Sequence, residues 1–77
     1  MDLIKLAEKI RSGKTVYIYD DWYDIMEKLV YDKKSDNTSV YLKKRGKNEI
    51  SSISSNELAF EIRVNGEEVS EEDYNKF

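Results

Sequence analysis

The sequence predicts an α+β fold, in which an N-terminal helix packs on a small antiparallel sheet and a short helical turn ends the chain. An apolar stripe with helical spacing occupies residues 2–12, runs of β-branched and aromatic residues follow it, and polar turns separate those runs. A chain of 77 residues suits one small domain, so we expect a single α+β domain over residues 1–77. A half-barrel of the SH3 or Sm type is a special case of this class.

The first helix is predicted over residues 2–12. Asp2 at its start suits the helix dipole, and Gly13 is a natural residue just beyond its end. The apolar residues share the spacing i, i+3, i+4 and i+7 of one helical face: Leu3, Leu6, Ala7 and Ile10.

Short strands are predicted after the helix. Residues 14–19 are rich in β-branched and aromatic side chains and favour a strand. Residues 20–32 fit both a helix and a strand, and we favour a strand over 25–32, because it leads through a polar tip into a second run at 38–43, as in a hairpin. A basic turn follows, and residues 49–53 are expected to add a short edge strand.

Residues 57–64 show the clearest alternation in the chain and are predicted to form a half-buried strand. The side chains expected to point inward are Leu58, Phe60, Ile62 and Val64. The dipeptide Asn65-Gly66 is a strong hairpin signal, so Glu67–Val69 is expected to be the return strand. Ser70 is then expected to cap the C-terminal helical turn.

The composition argues against catalysis and against zinc. The chain has no cysteine and no histidine, so the usual ligands of zinc and the usual bases and thiolates of enzymes are missing. Three glycines cannot build a phosphate-binding loop, and the serines at 51, 52, 54 and 55 have no histidine to activate them. We therefore expect a protein that is not an enzyme and needs no cofactor.

Two features bear on location. No apolar run is long enough to cross a bilayer, and no apolar signal-peptide core follows Met1. A cysteine-free chain of this kind is expected in the cytoplasm, of a cell or of an infected cell. The chain resembles small reading frames of bacterial viruses and mobile elements in its shortness, in its many tyrosines and lysines and in its ending over 65–74. The missing catalytic residues, the acidic flanks and the aromatic residues lead us to expect a phage-type regulator or inhibitor of a larger host protein.

The net charge of −3 conceals a basic middle between acidic flanks. Residues 33–49 carry six basic and two acidic side chains, whereas residues 50–77 carry two basic and seven acidic ones. The acidic flanks and the aromatic residues favour a protein-binding module with a basic partner, as a monomer or a homodimer. The predicted partner-binding residues are Trp22, Tyr23, Tyr41, Glu67, Glu68, Glu71 and Glu72.

The alternative is a small nucleic-acid-binding protein that uses the basic edge at 33–47. Lysine and arginine near a phosphate backbone release counterions, and Tyr31 and Tyr41 would add base stacking. The predicted contact residues are Lys33, Lys34, Lys43, Lys44, Arg45 and Lys47. The negative net charge makes this function less favoured than protein binding.

A third hypothesis is a metal-dependent enzyme built on Asp20, Asp21 and Asp24. We favour a turn with a helix cap for this cluster, because the sequence has no calcium loop of the Asp-x-Asp-x-Asp-Gly type. We therefore expect no metal site.

Overall fold

The computed structural model describes residues 1–77 and has three helices and five strands. In chain order they are α1 (Leu3–Arg11), β1 (Val16–Asp20), β2 (Ile25–Asp32), β3 (Asn37–Lys44), β4 (Ile50–Ser52), α2 (Glu57–Asn65), β5 (Glu67–Val69) and α3 (Glu71–Lys76). The predicted α+β class, the N-terminal helix and the short C-terminal helix are confirmed.

The five strands form one open antiparallel sheet with the order β4-β3-β2-β1-β5. The centre is the β2–β3 hairpin, which pairs from Ile25 opposite Lys44 to Asp32 opposite Asn37. The strand prediction for 25–32 is thus confirmed. Because β4 and β5 are the two edges of an open sheet, the half-barrel variant is not confirmed.

The first helix begins where the sequence predicts. The Asp2 carboxylate accepts hydrogen bonds from the backbone N–H groups of Ile4 and Lys5, at 3.0 and 3.3 Å. Leu6 and Ile10, one helical turn apart, are buried against the sheet. The apolar spacing therefore positions α1 on one face of the sheet.

The apolar core lies between that face of the sheet and the helices α1 and α2. The side chains that compose it are Leu6, Ile10, Val16, Ile18, Ile25, Leu29, Val40, Leu42, Ala59 and Ile62. On the opposite face, α3 packs on the tyrosines of β1: the rings of Tyr17 and Tyr74 are 5.0 Å apart, and those of Tyr19 and Phe77 are 5.6 Å apart. Side chains alternate along β1, so one set packs in the apolar core and the other packs against α3.

The strand prediction for residues 57–64 is wrong, because this segment is the helix α2. The Asn56 side chain accepts a hydrogen bond from the backbone N–H of Ala59 at 3.2 Å and caps the helix. Ala59 and Ile62, three residues apart, are completely buried, whereas Phe60 is 52% exposed. The apolar residues of 57–64 fit both the two-residue repeat of a strand and the 3.6-residue repeat of a helix. Packing on β1 and β2 selects the helix.

The hairpin predicted at Asn65-Gly66 is also wrong. Gly66 has φ −79° and ψ 176°, an extended conformation rather than that of a hairpin turn. The strand that follows is real, but it pairs with β1, with Glu67 opposite Tyr19 and Val69 opposite Tyr17. Ser70 then caps α3 as predicted, because its Oγ accepts a hydrogen bond from the backbone N–H of Asp73 at 3.0 Å.

Candidate binding site at the β1–β2 turn

The turn between β1 and β2, residues 21–24, presents the most exposed large apolar side chain of the chain. The carboxylate of Asp20 accepts hydrogen bonds from the backbone N–H groups of Trp22, at 2.8 Å, and Tyr23, at 3.4 Å. This Asx-type turn is a common way for an aspartate to close a loop. It leaves the Trp22 side chain 85% exposed and that of Tyr23 42% exposed.

The end of the turn is held by Asp24. Arg45 donates two hydrogen bonds to its carboxylate, at 2.8 and 2.9 Å, and the Tyr19 hydroxyl donates a third at 2.7 Å. These donors, Arg45 first, lower the pKa of Asp24 to about 2. Asp24 has φ 53°, a left-handed conformation that aspartate tolerates better than most residues. The exposed aromatics therefore stand on a firmly tied turn.

A cleft of about 370 Å³ opens between this turn and α2, and we call it the turn cleft. Its lining residues are Asp20, Asp21, Trp22, Tyr23, Glu61 and Asn65. The Tyr23 hydroxyl donates a 2.5 Å hydrogen bond to Glu61, and this bond is the main cause of the raised pKa of Tyr23. The turn cleft thus combines two aromatic rings with three carboxylates.

One carboxylate oxygen at the turn cleft has no partner. Asp20 is only 2% exposed, and its Oδ1 is the atom that accepts the two turn hydrogen bonds. Its Oδ2 is buried without any hydrogen bond. An unpartnered buried acceptor is costly, so such an atom is uncommon in a structural turn.

The structure brings only part of the predicted protein-binding set together. Trp22 and Tyr23 share the turn, and Glu67 lies at the same end of β1, opposite Tyr19. Tyr41 lies on the face of the sheet that carries α3, where the Lys28 ammonium is 4.6 Å from the centre of the Tyr41 ring. The remaining carboxylates have partners elsewhere: Glu68 binds Lys9, Glu71 binds the Tyr17 hydroxyl and Glu72 binds Lys76.

Most tyrosine hydroxyls form hydrogen bonds within the fold and so are not free to contact a partner. Five of the six tyrosine hydroxyls donate to a carboxylate, and these belong to Tyr17, Tyr19, Tyr23, Tyr31 and Tyr74. Trp22 has no comparable side-chain bond and projects from the turn. It is therefore the aromatic residue of the predicted set that is best placed for a partner.

The sequence does not predict Glu61 and Asn65 as site residues, because its alternation assigns residues 57–64 to a strand. In a helix they lie four residues apart, on one face. The signal that would have revealed them is Asn56, a favoured N-cap residue, followed directly by Glu57 in the first turn.

The basic residues predicted for nucleic acid form two separate groups. Lys33 and Lys34 lie in the β2–β3 turn, and the group at 43–47 lies at the far end of β3, about 25 Å away for a strand of eight residues. Lys43 donates to the backbone oxygen of Tyr74 at 2.8 Å, and Arg45 binds Asp24. The six side chains thus do not share one continuous surface.

Two of the three aspartates considered for a metal make other contacts, and the third, Asp21, is exposed in the turn. Asp20 closes the turn and Asp24 binds Arg45. No group of three or more acidic side chains in the chain is arranged to hold a metal ion.

The largest cavity, about 450 Å³, is a groove between α1 and α2. Leu3, Ala7 and Phe60 give it apolar walls, and Arg63 lies beside it with hydrogen bonds to two backbone oxygens. None of the buried unpartnered polar atoms belongs to a residue that lines this groove. The smaller turn cleft is the better candidate, because it alone combines an unpartnered buried acceptor with exposed aromatics.

Comparison with known proteins gives no relative from which a function is transferable. No protein-family model matches the chain, and neither a curated protein nor a solved structure matches it. None of the three helices has the length and the apolar character needed to span a membrane.

Proposed function

We propose that this protein is a non-catalytic protein-binding module that engages a basic partner through Trp22 and the turn cleft. The observation that carries the proposal is the 85% exposure of Trp22 on a turn tied at both ends. Tryptophan is among the residues most enriched at binding hot spots, where rigid, desolvated anchors supply most of the affinity. A tied turn also loses little conformational entropy on binding.

The charge around Trp22 selects the partner. Asp21 and Glu61 border the turn cleft, and neither takes part in an ion pair within the chain. Such a surface attracts a basic patch, raises the association rate and loses strength as salt screens it. The partner is therefore a protein with a basic surface.

The biological setting that fits best is regulation or inhibition of a larger host protein in the cytoplasm, by a product of a phage or mobile element. The support is the small size, the resemblance of the sequence to such reading frames and the absence of histidine and cysteine.

The proposal is tested by site-specific photo-crosslinking. Benzoylphenylalanine replaces Trp22 in one tagged full-length protein and Phe60 in a matched control, because both positions are exposed aromatics. Host lysate is irradiated at low salt and at about 0.5 M salt, where the Debye length is only a few ångströms. Position 22 should yield a discrete adduct with a basic protein, and high salt should weaken it.

The specificity of the adduct decides the outcome. Unlabelled wild-type protein should compete for it, and a Trp22→Ala competitor should not. Equal adducts at positions 22 and 60, or equal competition by both proteins, would contradict the proposal.

Nucleic-acid binding through residues 33–47 is the alternative proposal, and the separation of its two basic groups makes it the weaker one. Fluorescence anisotropy with a labelled single strand and its duplex at low salt tests it. Binding that is lost on replacing Lys43, Lys44 and Arg45 by alanine would reverse the order of the two proposals.

A further inference from the structure

We propose that the turn cleft receives the guanidinium group of an arginine side chain from the partner. This inference rests on the proposed function and specifies how a basic partner is recognised. Its elements are the unpartnered Asp20 Oδ2, the uncompensated negative charge of the turn cleft and the aromatic ring of Trp22.

The first element points to a hydrogen-bond donor as the missing component. Asp20 lines the turn cleft, its Oδ1 is engaged by two backbone N–H groups, and its buried Oδ2 has no partner. A donor that reaches Oδ2 removes the cost of this unmade bond. The oxygen is buried in the free protein, so a donor must displace the atoms around it to reach Oδ2.

The second element requires that the donor be a cation. The chain has five ion pairs, and none includes Asp20, Asp21 or Glu61. Three carboxylates thus border the turn cleft without a positive partner. They are not arranged to bind a metal ion. An organic cation is therefore the ligand class that fits the site.

The third element favours guanidinium over ammonium. A guanidinium group is planar, carries five donors in a fixed fork and stacks on an aromatic face while it binds carboxylates. Trp22 offers the best cation–π surface among the side chains, and Asp20 and Glu61 offer carboxylate oxygens beside it. The volume of about 370 Å³ lies in the range of ordinary ligand sites, about 300–1,000 Å³.

The only tryptophan of the chain lies in the site, so its fluorescence reports binding directly. The full chain is titrated with N-acetyl-arginine amide, with the neutral isostere N-acetyl-citrulline amide and with N-acetyl-lysine amide. The arginine compound should give a saturable change that salt weakens, the citrulline compound should give none, and the lysine compound should bind more weakly.

Three variants locate the effect. Glu61→Gln and Asp20→Asn should each weaken arginine binding by about tenfold, as expected for the loss of a charge-assisted hydrogen bond. Asp20→Asn keeps an oxygen for the turn hydrogen bonds, and circular dichroism checks that it folds. Glu8→Gln removes an exposed carboxylate of α1 that does not line the turn cleft and should leave the titration unchanged.

The outcomes separate this inference from the proposed function. No response to arginine, an equal response to citrulline or lysine, or an unchanged response in both Glu61→Gln and Asp20→Asn would overturn the inference. If the Trp22 crosslink persists in that case, the proposed function stands without it. If arginine binds but no crosslink forms at position 22, the guanidinium site is supported and the protein-binding proposal fails.

Discussion

The Glu27 carboxylate lies 3.4 Å from the Nε of Arg63, inside the layer where α2 packs on the sheet. Glu27 is completely buried in the central strand β2, between Ile18 and Leu42 of the neighbouring strands, and neither of its oxygens accepts a hydrogen bond. Burial raises the pKa of Glu27 to about 7, and Arg63 only partly opposes this effect. The pair joins the sheet to a helix, and the raised pKa predicts that ionisation of Glu27 lowers the stability of the fold.

Unfolding free energy should fall as the pH rises from about 5 to 8. Since the pKa of Glu27 is raised from 4.5 to about 7 in the folded protein, the folded state holds a proton that the unfolded chain has lost. That contribution is complete below pH 4.5 and is lost as the pH passes about 7. Urea titrations should show a decrease of about 1–3 kcal/mol. Glu27→Gln should lose this pH dependence, whereas Glu72→Gln should keep it.

Replacing Arg63 should be more harmful at high pH than at low pH. Arg63→Ala leaves the ionised Glu27 buried without a cation, which costs about 3 kcal/mol at pH 8. At pH 5 Glu27 is protonated, so only the loss of the hydrogen bonds from Arg63 to Ala59 and Ser54 should remain. Chemical denaturation at both pH values measures the difference. Equal losses at both would show that Glu27 is not the group involved, and Glu27→Gln should abolish the difference.

Two adjacent residues of α2 should respond in opposite ways to the same substitution. Ala59→Glu should prevent folding, because Ala59 is completely buried against the sheet. Phe60→Glu should leave the protein folded and cost about 1–2 kcal/mol, because half of that side chain is already exposed. Circular dichroism and thermal melting distinguish the two. The reverse result would be expected from a strand over 57–64.

Gly66 should tolerate no side chain. A Cβ at this position would lie 2.5 Å from the Ile18 side chain, 2.6 Å from the backbone oxygen of Ile62 and 2.8 Å from that of Tyr19. Gly66→Ala should therefore destabilise the protein by about 3 kcal/mol, as overpacking against fixed backbone does. Gly13→Ala is the matched control. Gly13 has φ +96° but open space around it, so its loss should cost only about 1 kcal/mol. Equal effects would contradict a steric constraint at Gly66, because its extended backbone (φ −79°) is one that any residue adopts.

The candidate site was predictable only in part. Residue type alone predicts Trp22 and Tyr23, since tryptophan and tyrosine are enriched at binding hot spots. Glu61 comes from a helix that is distant in sequence, and the Oδ2 of Asp20 is recognisable as unpartnered only when its surroundings are known. No local sequence pattern predicts the position of Glu61 at the cleft or the missing partner of Asp20 Oδ2.

The sequence by itself determined the elements whose signals are local. The stripe and cap of α1, the strands β1 and β3 and the Ser70 cap of α3 each depend on neighbouring residues, so the chain near them is sufficient to predict them. Residues 20–32 fit both a helix and a strand, and the strand β2 is favoured only because it leads into a hairpin with β3. Only the tertiary structure decided α2 and the partner of β5. Residues 57–64 satisfy both periods, and the helix prevails because small Ala59 permits close packing of its backbone on β1 and β2. That gain in burial comes from contacts between segments that are distant in sequence, and the periodicity within one segment does not report such contacts.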